Sequence, residues 1–213
     1  MLATIKCDFK SFEDLAQSFA AKELAANREA NDRYPFGPFF DSVIAKAYDV
    51  GLLGATLPEE CGGIGQGISA LCVILDNISA ADASLSGIIF TNALSQEIML
   101  SAGGKDILAG MTGQTNDYAS ALIAFPAFCN PAEIKSLPEA VKTKDTYELN
   151  GAIDYVVLGG LAKHALIPAR IKNQKSYSFF LIDLNDKNLN KSAPIFSLGL
   201  HACPAVDLKI FGV

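Results

Sequence analysis

The chain has 213 residues, half of them apolar and 19% charged, with a formal net charge of −6; that is the composition of a folded protein with enough chain for one large domain or two ordinary ones. The charge is spread without a block of one sign, which excludes the clustered basic face that nucleic-acid binding needs. No apolar run reaches the roughly 18 residues of a membrane span, and Lys6, Asp8, Lys10, Glu13 and Asp14 interrupt the N-terminus where a signal peptide would be apolar.

The first expected helix starts at Ser11, where Ser11 to Asp14 reads as a capping box, and runs to about Asn27. Phe12, Leu15, Ala16, Phe19 and Ala20 recur at helical spacing and define its buried face. After an aromatic-proline break at Tyr34 to Pro38, a second helix carries Phe39, Phe40, Val43, Ile44, Ala47 and Val50, and Gly51 and Gly54 end it. The glycines of residues 51–67, GLLGATLPEECGGIGQG, lack the Lys-Ser/Thr of a phosphate loop and follow a helix rather than a strand, so they read as a tight turn between helices.

A third helix is expected from about Ile68 to Ala80, with Ile68, Leu71, Cys72, Leu75 and Ile78 inward. Asp82-Ala83-Ser84 opens a fourth, apolar nearly all round through Leu85, Ile88, Ile89, Phe90, Ala93, Leu94, Ile98 and Met99. A helix apolar on every side is central in its bundle or covered by another chain. Gly103-Gly104 ends it, and Lys105 to Met111 forms a short last helix.

From Ala119 onward the pattern changes to strands. The segment Ala119 to Ser136, ASALIAFPAFCNPAEIKS, opens as an apolar strand and breaks at Pro126, Cys129-Asn130 and Pro131, and a strand ending in an irregular loop at a domain junction is a common ligand position. Val141–Lys144 and Thr146–Asn150 read as a hairpin around Lys144-Asp145. Asp154–Leu158, Ala165–Ile171 and Ser176–Asp183 follow as strands, the last of them uninterrupted enough to be buried. Asp183–Ser192 reads as a polar surface loop, and Val206–Phe211 closes the chain by alternation.

Chemistry-bearing residues are sparse. The five cysteines, Cys7, Cys61, Cys72, Cys129 and Cys203, are widely spread, odd in number and without metal-ligand spacing, which is the pattern of a reduced, cytoplasmic setting. His164 reads as a loop residue before a strand. His201 and Cys203 stand at alternate positions that can share a strand face without function, and no hydrolase or metal motif surrounds either histidine.

These segments resemble the flavin-dependent acyl-CoA dehydrogenases. GLLGATLPEECGGIG is similar to that family's turn between early helices, with Cys61 in place of its aromatic residue. Ala81-Asp82-Ala83-Ser84 is similar to its Ala-Asp-Ala-Ser helix start. Tyr147 to Gly151, Gly159-Gly160 and Leu198-Gly199-Leu200 are similar to landmarks of its middle β domain. The resemblance implies an α+β, multi-domain chain: an all-α helical domain over residues 1–115, then a small antiparallel β-barrel or sandwich domain over 116–213. The family's C-terminal four-helix domain, which carries its catalytic base, has no counterpart in these residues, so no catalytic residue is assigned.

The resemblance also implies FAD as the hydride acceptor in α,β-dehydrogenation of an acyl-CoA thioester. The flavin positions it implies are Phe125, Pro126, Ala132, Tyr155 and Val157. Aligned on Ser136-Leu137, the family's threonine falls on Pro126, its proline on Phe128, its first glycine on Cys129, its serine on Ala132 and its aspartate on Glu133. Its aromatic-Ile-Thr-Asn run falls on Tyr155 to Leu158. Pro126 removes a hydroxyl and a backbone N–H together, and Ala132, Val157 and Leu158 each remove a polar side chain. At roughly 0.5–1.5 kcal/mol per hydrogen bond, three or four such losses weaken flavin binding by about two to four decades. His201 and Cys203 replace an arginine and a serine of the family pattern.

The expectation is therefore a degenerate or partner subunit, inert alone, that forms a homo- or hetero-oligomer with an acyl-CoA dehydrogenase-type subunit. The alternatives are a truncated but genuine FAD-dependent enzyme, and a non-redox acyl-CoA-binding or scaffolding protein.

Overall fold

The computed structural model describes residues 9–27, 39–112, 117–130, 132–134 and 136–213. The break at Tyr34 to Pro38, Cys7 and Pro131 lie outside the described residues. Among the described residues, the helices lie up to Ala121 and the strands from Ile123 on, a mixed α+β architecture.

Helix α1 (Lys10–Phe19) buries Ala16 and Phe19 and continues through a π-helical turn (Ala20–Leu24) and a 3-10 turn (Ala25–Asn27), so the apolar face expected from spacing is the face that packs. The capping box is not formed. The helix begins one residue before Ser11, and Phe9 at the cap makes no side-chain bond; Lys10 instead pairs with Asp14 at 2.8 Å, one turn on. Helix α2 (Phe39–Asp49) buries Val43, Ile44 and Ala47. Val50, expected inward, is 41% exposed because the helix has already ended before it; Gly51 turns the chain with φ +82°.

The glycine-rich segment folds as two 3-10 turns, Leu52–Gly54 and Glu59–Cys61, with a helix before it and no strand. Gly63 packs so closely that a Cβ there would lie 2.1 Å from the Leu57 carbonyl oxygen, which accounts for a glycine at this point of the turn. Lys105 donates to Glu60 across it, giving that carboxylate a structural role.

Helix α3 (Ile68–Ser79) buries Ala70, Leu71, Ile74 and Ile78. Ile68 and Cys72, both expected inward, are exposed, since the packed stripe is rotated toward Ala70 and Ile74. Helix α4 (Ala83–Ser101) is the centre of the helical half. Its cap is the expected one: Asp82 accepts the N–H groups of Ser84 at 2.8 Å and Leu85 at 3.0 Å. Ser86, Asn92, Ser95 and Gln96 are buried and bond to other elements, while the buried Thr91 hydroxyl has no partner. Asn92 donates to Leu53 O at 2.9 Å and accepts from Ile123 N–H at 2.9 Å. Helix α5 (Lys105–Thr112) and the single turn α6 (Tyr118–Ala121) complete this half.

One curled sheet of seven strands follows: β1 (Ile123–Ala124), β4 (His164–Ile171), β2 (Glu139–Thr143), β3 (Thr146–Val157), β7 (Ala205–Phe211) and β6 (Leu189–Lys191) in that order, with β5 (Tyr177–Asp183) beside β4 off this path. Strand β4 has β1 and β2 along one edge, both parallel to it. Strand β5 runs antiparallel along its other edge. The sheet is thus mixed rather than purely antiparallel. β2 and β3 form the expected hairpin, and β3 pairs on with β7.

Several strand expectations change. The strand expected from Ala119 shrinks to two residues and a bridge at Phe125, because Tyr118–Ala121 is helical. The separate strands 146–150 and 154–158 are one strand, β3, with an irregularity between Ile153 and Val156. SYSFFLID is not the buried strand; β5 pairs only with β4, and Ile182 alone within it is buried, whereas β4 buries Ala165 to Ala169. Residues 189–191, expected in a loop, pair with β7 as the short strand β6. His164 is the first residue of β4, not a loop residue. A continuous apolar core joins α1 to α4 with the inner sheet residues Val156, Val157, Ile167 and Leu208.

Candidate cofactor site

The loop after β1 is closed largely by its own backbone. Phe125 and Val157 form an antiparallel bridge, each donating its N–H to the other's carbonyl at 3.0 Å. Pro126 follows with no N–H of its own, and Ala127 N–H turns back to Phe125 O at 2.8 Å across it. Cys129 N–H donates to Pro126 O at 3.1 Å. Asn130 closes the next turn: its Oδ1 accepts from Ala132 N–H, its Nδ2 donates to Glu133, and its carbonyl accepts from Glu133 N–H.

Opposite the loop, β3 bulges. Ile153 pairs with Leu208 and Val156 with Val206, so Asp154 and Tyr155 together oppose Asp207. Tyr155 takes φ +57° and its N–H is held by Asp207 Oδ1 at 3.0 Å. Leu158 also has positive φ, +66°, and its N–H donates to Pro204 O at 2.7 Å. Two non-glycine residues in the left-handed region within four positions mark a backbone over-determined by its surroundings.

Between loop and bulge lies a cavity of about 410 Å³ lined by Phe128, Cys129, Asn130, Glu133, Ile134, Ser136, Asp154 and Tyr155. Of the five positions implied by resemblance, Tyr155 lines this cavity; Phe125, Pro126 and Val157 are buried beside it, and Ala132 is exposed. Phe125 and Val157 are brought together, Ala132 is not brought to them. The sequence reading did not single out Phe128, Ile134, Asp154 or Asp207, because cavity lining and bulge pairing are set by which strands meet and leave no local pattern.

The turn before β7 reaches the same region. Ala202 N–H donates to Ser84 Oγ at 3.3 Å. A Cβ on Gly87 of α4 would lie 3.2 Å from Cys203 Sγ and 3.8 Å from Phe128 Cζ, so this glycine gives the Cys203 sulfur room beside Phe128. Burial, with a smaller contribution from Asp82, pushes the Cys203 thiol up to about 12; it is a packed, neutral thiol and no nucleophile. His201 lies in the turn, not in a strand, and stacks on Phe196 with ring centroids 5.4 Å apart. Among the described residues no group of three or more His, Cys, Asp or Glu could hold a metal ion.

A flavin ring has a polar edge that needs donors once buried. Here the N–H groups of Phe125, Ala127, Cys129, Tyr155, Val157 and Leu158 are all engaged within the chain, and Pro126 has none. On the cavity wall Glu133 and Asp154 add acceptors, Asn130 Nδ2 is bonded to Glu133, and Ser136 and Tyr155 bring hydroxyls. With Pro126 in the loop and those N–H groups bonded within the chain, the residues present fit FAD poorly.

The helices, the curled sheet and the loop between them define a mixed α+β fold. Residues 8–107 match the family profile described as "Acyl-CoA dehydrogenase, N-terminal domain". The chain is 20% identical over 207 residues to benzylmalonyl-CoA dehydrogenase of Aromatoleum aromaticum, covering 95% of this chain and 54% of that protein. It superposes on butyryl-CoA dehydrogenase from Megasphaera elsdenii with a TM-score of 0.78 at 19% identity, covering all of this chain and 58% of that one. An acyl-CoA dehydrogenase complexed with FAD from Bacillus anthracis gives a TM-score of 0.76 at 19% identity, over 99% of this chain and 36% of that one. Residues 8–107 carry the acyl-CoA dehydrogenase N-terminal domain, and the chain spans about half the length of the curated relatives it matches. Among the described residues, no helix is long and apolar enough to cross a membrane.

Proposed function

We propose that this chain is a partner subunit of the acyl-CoA dehydrogenase family, organised as domains 1–115 and 116–213, that does not carry out the family's FAD-dependent dehydrogenation alone. The observation that carries the reading is an incompletely covered apolar stripe on α4. Phe90, Leu94 and Ile98 recur every four residues along one face; Phe90 is 36% exposed and the other two are half-buried. Phe128 at 45% exposure stacks on Phe90 and widens the stripe. Phe196 and Leu198 add apolar surface on the segment before β7, at 71% and 100% exposure.

A stripe with four-residue spacing on a central helix fits another helix laid along it. The occupant we assign is a helical segment of an acyl-CoA dehydrogenase-type polypeptide. Such a polypeptide would also supply the flavin donors and the base that the described residues do not. Purified alone, the protein is expected to be colourless and unable to oxidise acyl-CoA thioesters. Mixed with an acyl-CoA dehydrogenase-type subunit from the same source, it is expected to co-elute in size-exclusion chromatography, and Leu94→Asp is expected to abolish co-elution. Near-stoichiometric flavin in the lone chain, or co-elution unchanged by Leu94→Asp, counts against this reading.

A further inference from the structure

We infer that the β1–β2 loop is an intramolecular clasp in the place where a flavin-holding loop would lie, and that Phe128 is its key. The inference rests on the same site as the partner-subunit reading and goes further, assigning the loop a task within the chain. Phe128 stands where the resemblance puts a proline. Its ring lies parallel to Phe90 of α4, centroids 6.3 Å apart and planes inclined by 6°, an arrangement that aromatic pairs favour when offset.

The same side chain reaches over Gly87, one turn earlier on α4, where Cys203 arrives from the other side. Ser84, a further turn back, accepts from Ala202 N–H. Three successive turns of α4 therefore receive the turn before β7 and the β1–β2 loop together. The bulge joins the same junction, because Leu158 N–H donates to Pro204 O. Held in this way, the loop has the N–H groups of Ala127, Cys129, Ala132 and Glu133 bonded within itself and Pro126 at the point where the resemblance puts a donor.

The closure of the loop and the loss of cofactor donors are thus one structural change: each N–H that bonds within the chain is one fewer for a flavin edge.

The test uses the whole chain and two readouts. Titration of FAD and, separately, riboflavin into the purified protein, followed by flavin fluorescence, is expected to show no saturable change; saturable binding of either at one equivalent overturns the inference. Amide hydrogen exchange on the Phe128→Ala variant is expected to speed exchange at Ala127, Cys129 and Glu133 by about tenfold or more, while amides of β4 stay as slow as in the wild type. That tenfold change corresponds to the loss of about 1.4 kcal/mol of local closure. Unchanged loop exchange in Phe128→Ala overturns the clasp even where FAD fails to bind. Phe128→Leu, which keeps apolar bulk without the ring, is expected to fall between the two. Failure of co-elution with a partner subunit leaves both readouts standing, so the two readings fail separately.

Discussion

Asn92 Oδ1 accepts the backbone N–H of Ile123 at 2.9 Å, joining the central helix to the first strand of the sheet. Its amide nitrogen holds Leu53 O at 2.9 Å in the glycine-rich turn, and the side chain is fully buried. One amide thus fixes three parts of the chain at once. Replacing it by Leu keeps the volume but leaves the buried Ile123 N–H unpaired, at about 1–3 kcal/mol, and removes the shorter of two bonds to Leu53 O, which keeps the one from Gln96 Nε2 at 3.3 Å, at about 1 kcal/mol more. Asn92→Leu is expected to lower unfolding stability by about 2–4 kcal/mol, measured by urea denaturation, whereas Asn92→Asp, which keeps only the acceptor, retains the bond to Ile123 and loses the one to Leu53.

Two glycines within the 51–67 segment make opposite predictions. A Cβ at Gly63 would lie 2.1 Å from Leu57 O, while one at Gly67 meets nothing within 4 Å. Gly63→Ala is expected to cost about 1–3 kcal/mol through forced backbone displacement. Gly67→Ala is expected to stay within about 1 kcal/mol of the wild type. Thermal denaturation of the two variants side by side checks the contrast.

Cys203 gives the fold a dependence on alkaline pH. Its thiol is held at about 12 by burial, against an ordinary value of 9.0. The folded state therefore keeps a proton that the unfolded chain releases, so stability is unaffected below about pH 9 and falls as pH rises toward 12. Cys203→Ala is expected to flatten the part of the decline due to this thiol, read as denaturation midpoints at pH 8 and about pH 10. At neutral pH, iodoacetamide is expected to label exposed Cys72 well before Cys203.

Asp117 ties α6 to the start of β4. It pairs with Lys163 at 2.5 Å and accepts from Ala119 N–H and Ser120 Oγ. The Lys163 hydrogen bond, with the backbone and hydroxyl bonds, holds its carboxyl below the ordinary value of 3.8. The stabilisation is present above that value and lost as pH falls through the lowered one. Both side chains are more than a third exposed, so the pair itself is worth no more than about 1 kcal/mol. Asp117→Asn is expected to be slightly less stable than the wild type at pH 7 and indistinguishable from it near pH 2, in the same denaturation assay.

The amino-acid order by itself determined the helices, the glycine turn and the hairpin, because these depend on contacts within a few residues. Asp82 caps α4 through bonds to Ser84 and Leu85, and Lys144-Asp145 turns β2 into β3; both were legible in the local pattern. Which apolar run is buried was not. SYSFFLID and the β4 run look alike as sequence, yet β4 is buried from Ala165 to Ala169 and β5 buries Ile182 alone, since burial of a strand depends on what packs over its faces, and that comes from elements distant in the chain.

The candidate site divides along the same line. The loss of an N–H at Pro126 and of polar side chains at Val157 and Leu158 is visible in the residues. That Phe125 and Val157 exchange their backbone bonds, that Asp207 holds Tyr155, and that Phe128 closes over Gly87 against Cys203 was decided only by tertiary structure. Those contacts join residues up to 116 positions apart, as between Gly87 and Cys203, and at that distance no periodicity in the chain records who meets whom. The physical reason is that hydrogen-bond donors and aromatic faces carry no address; the packing of α4 against the curled sheet supplies it.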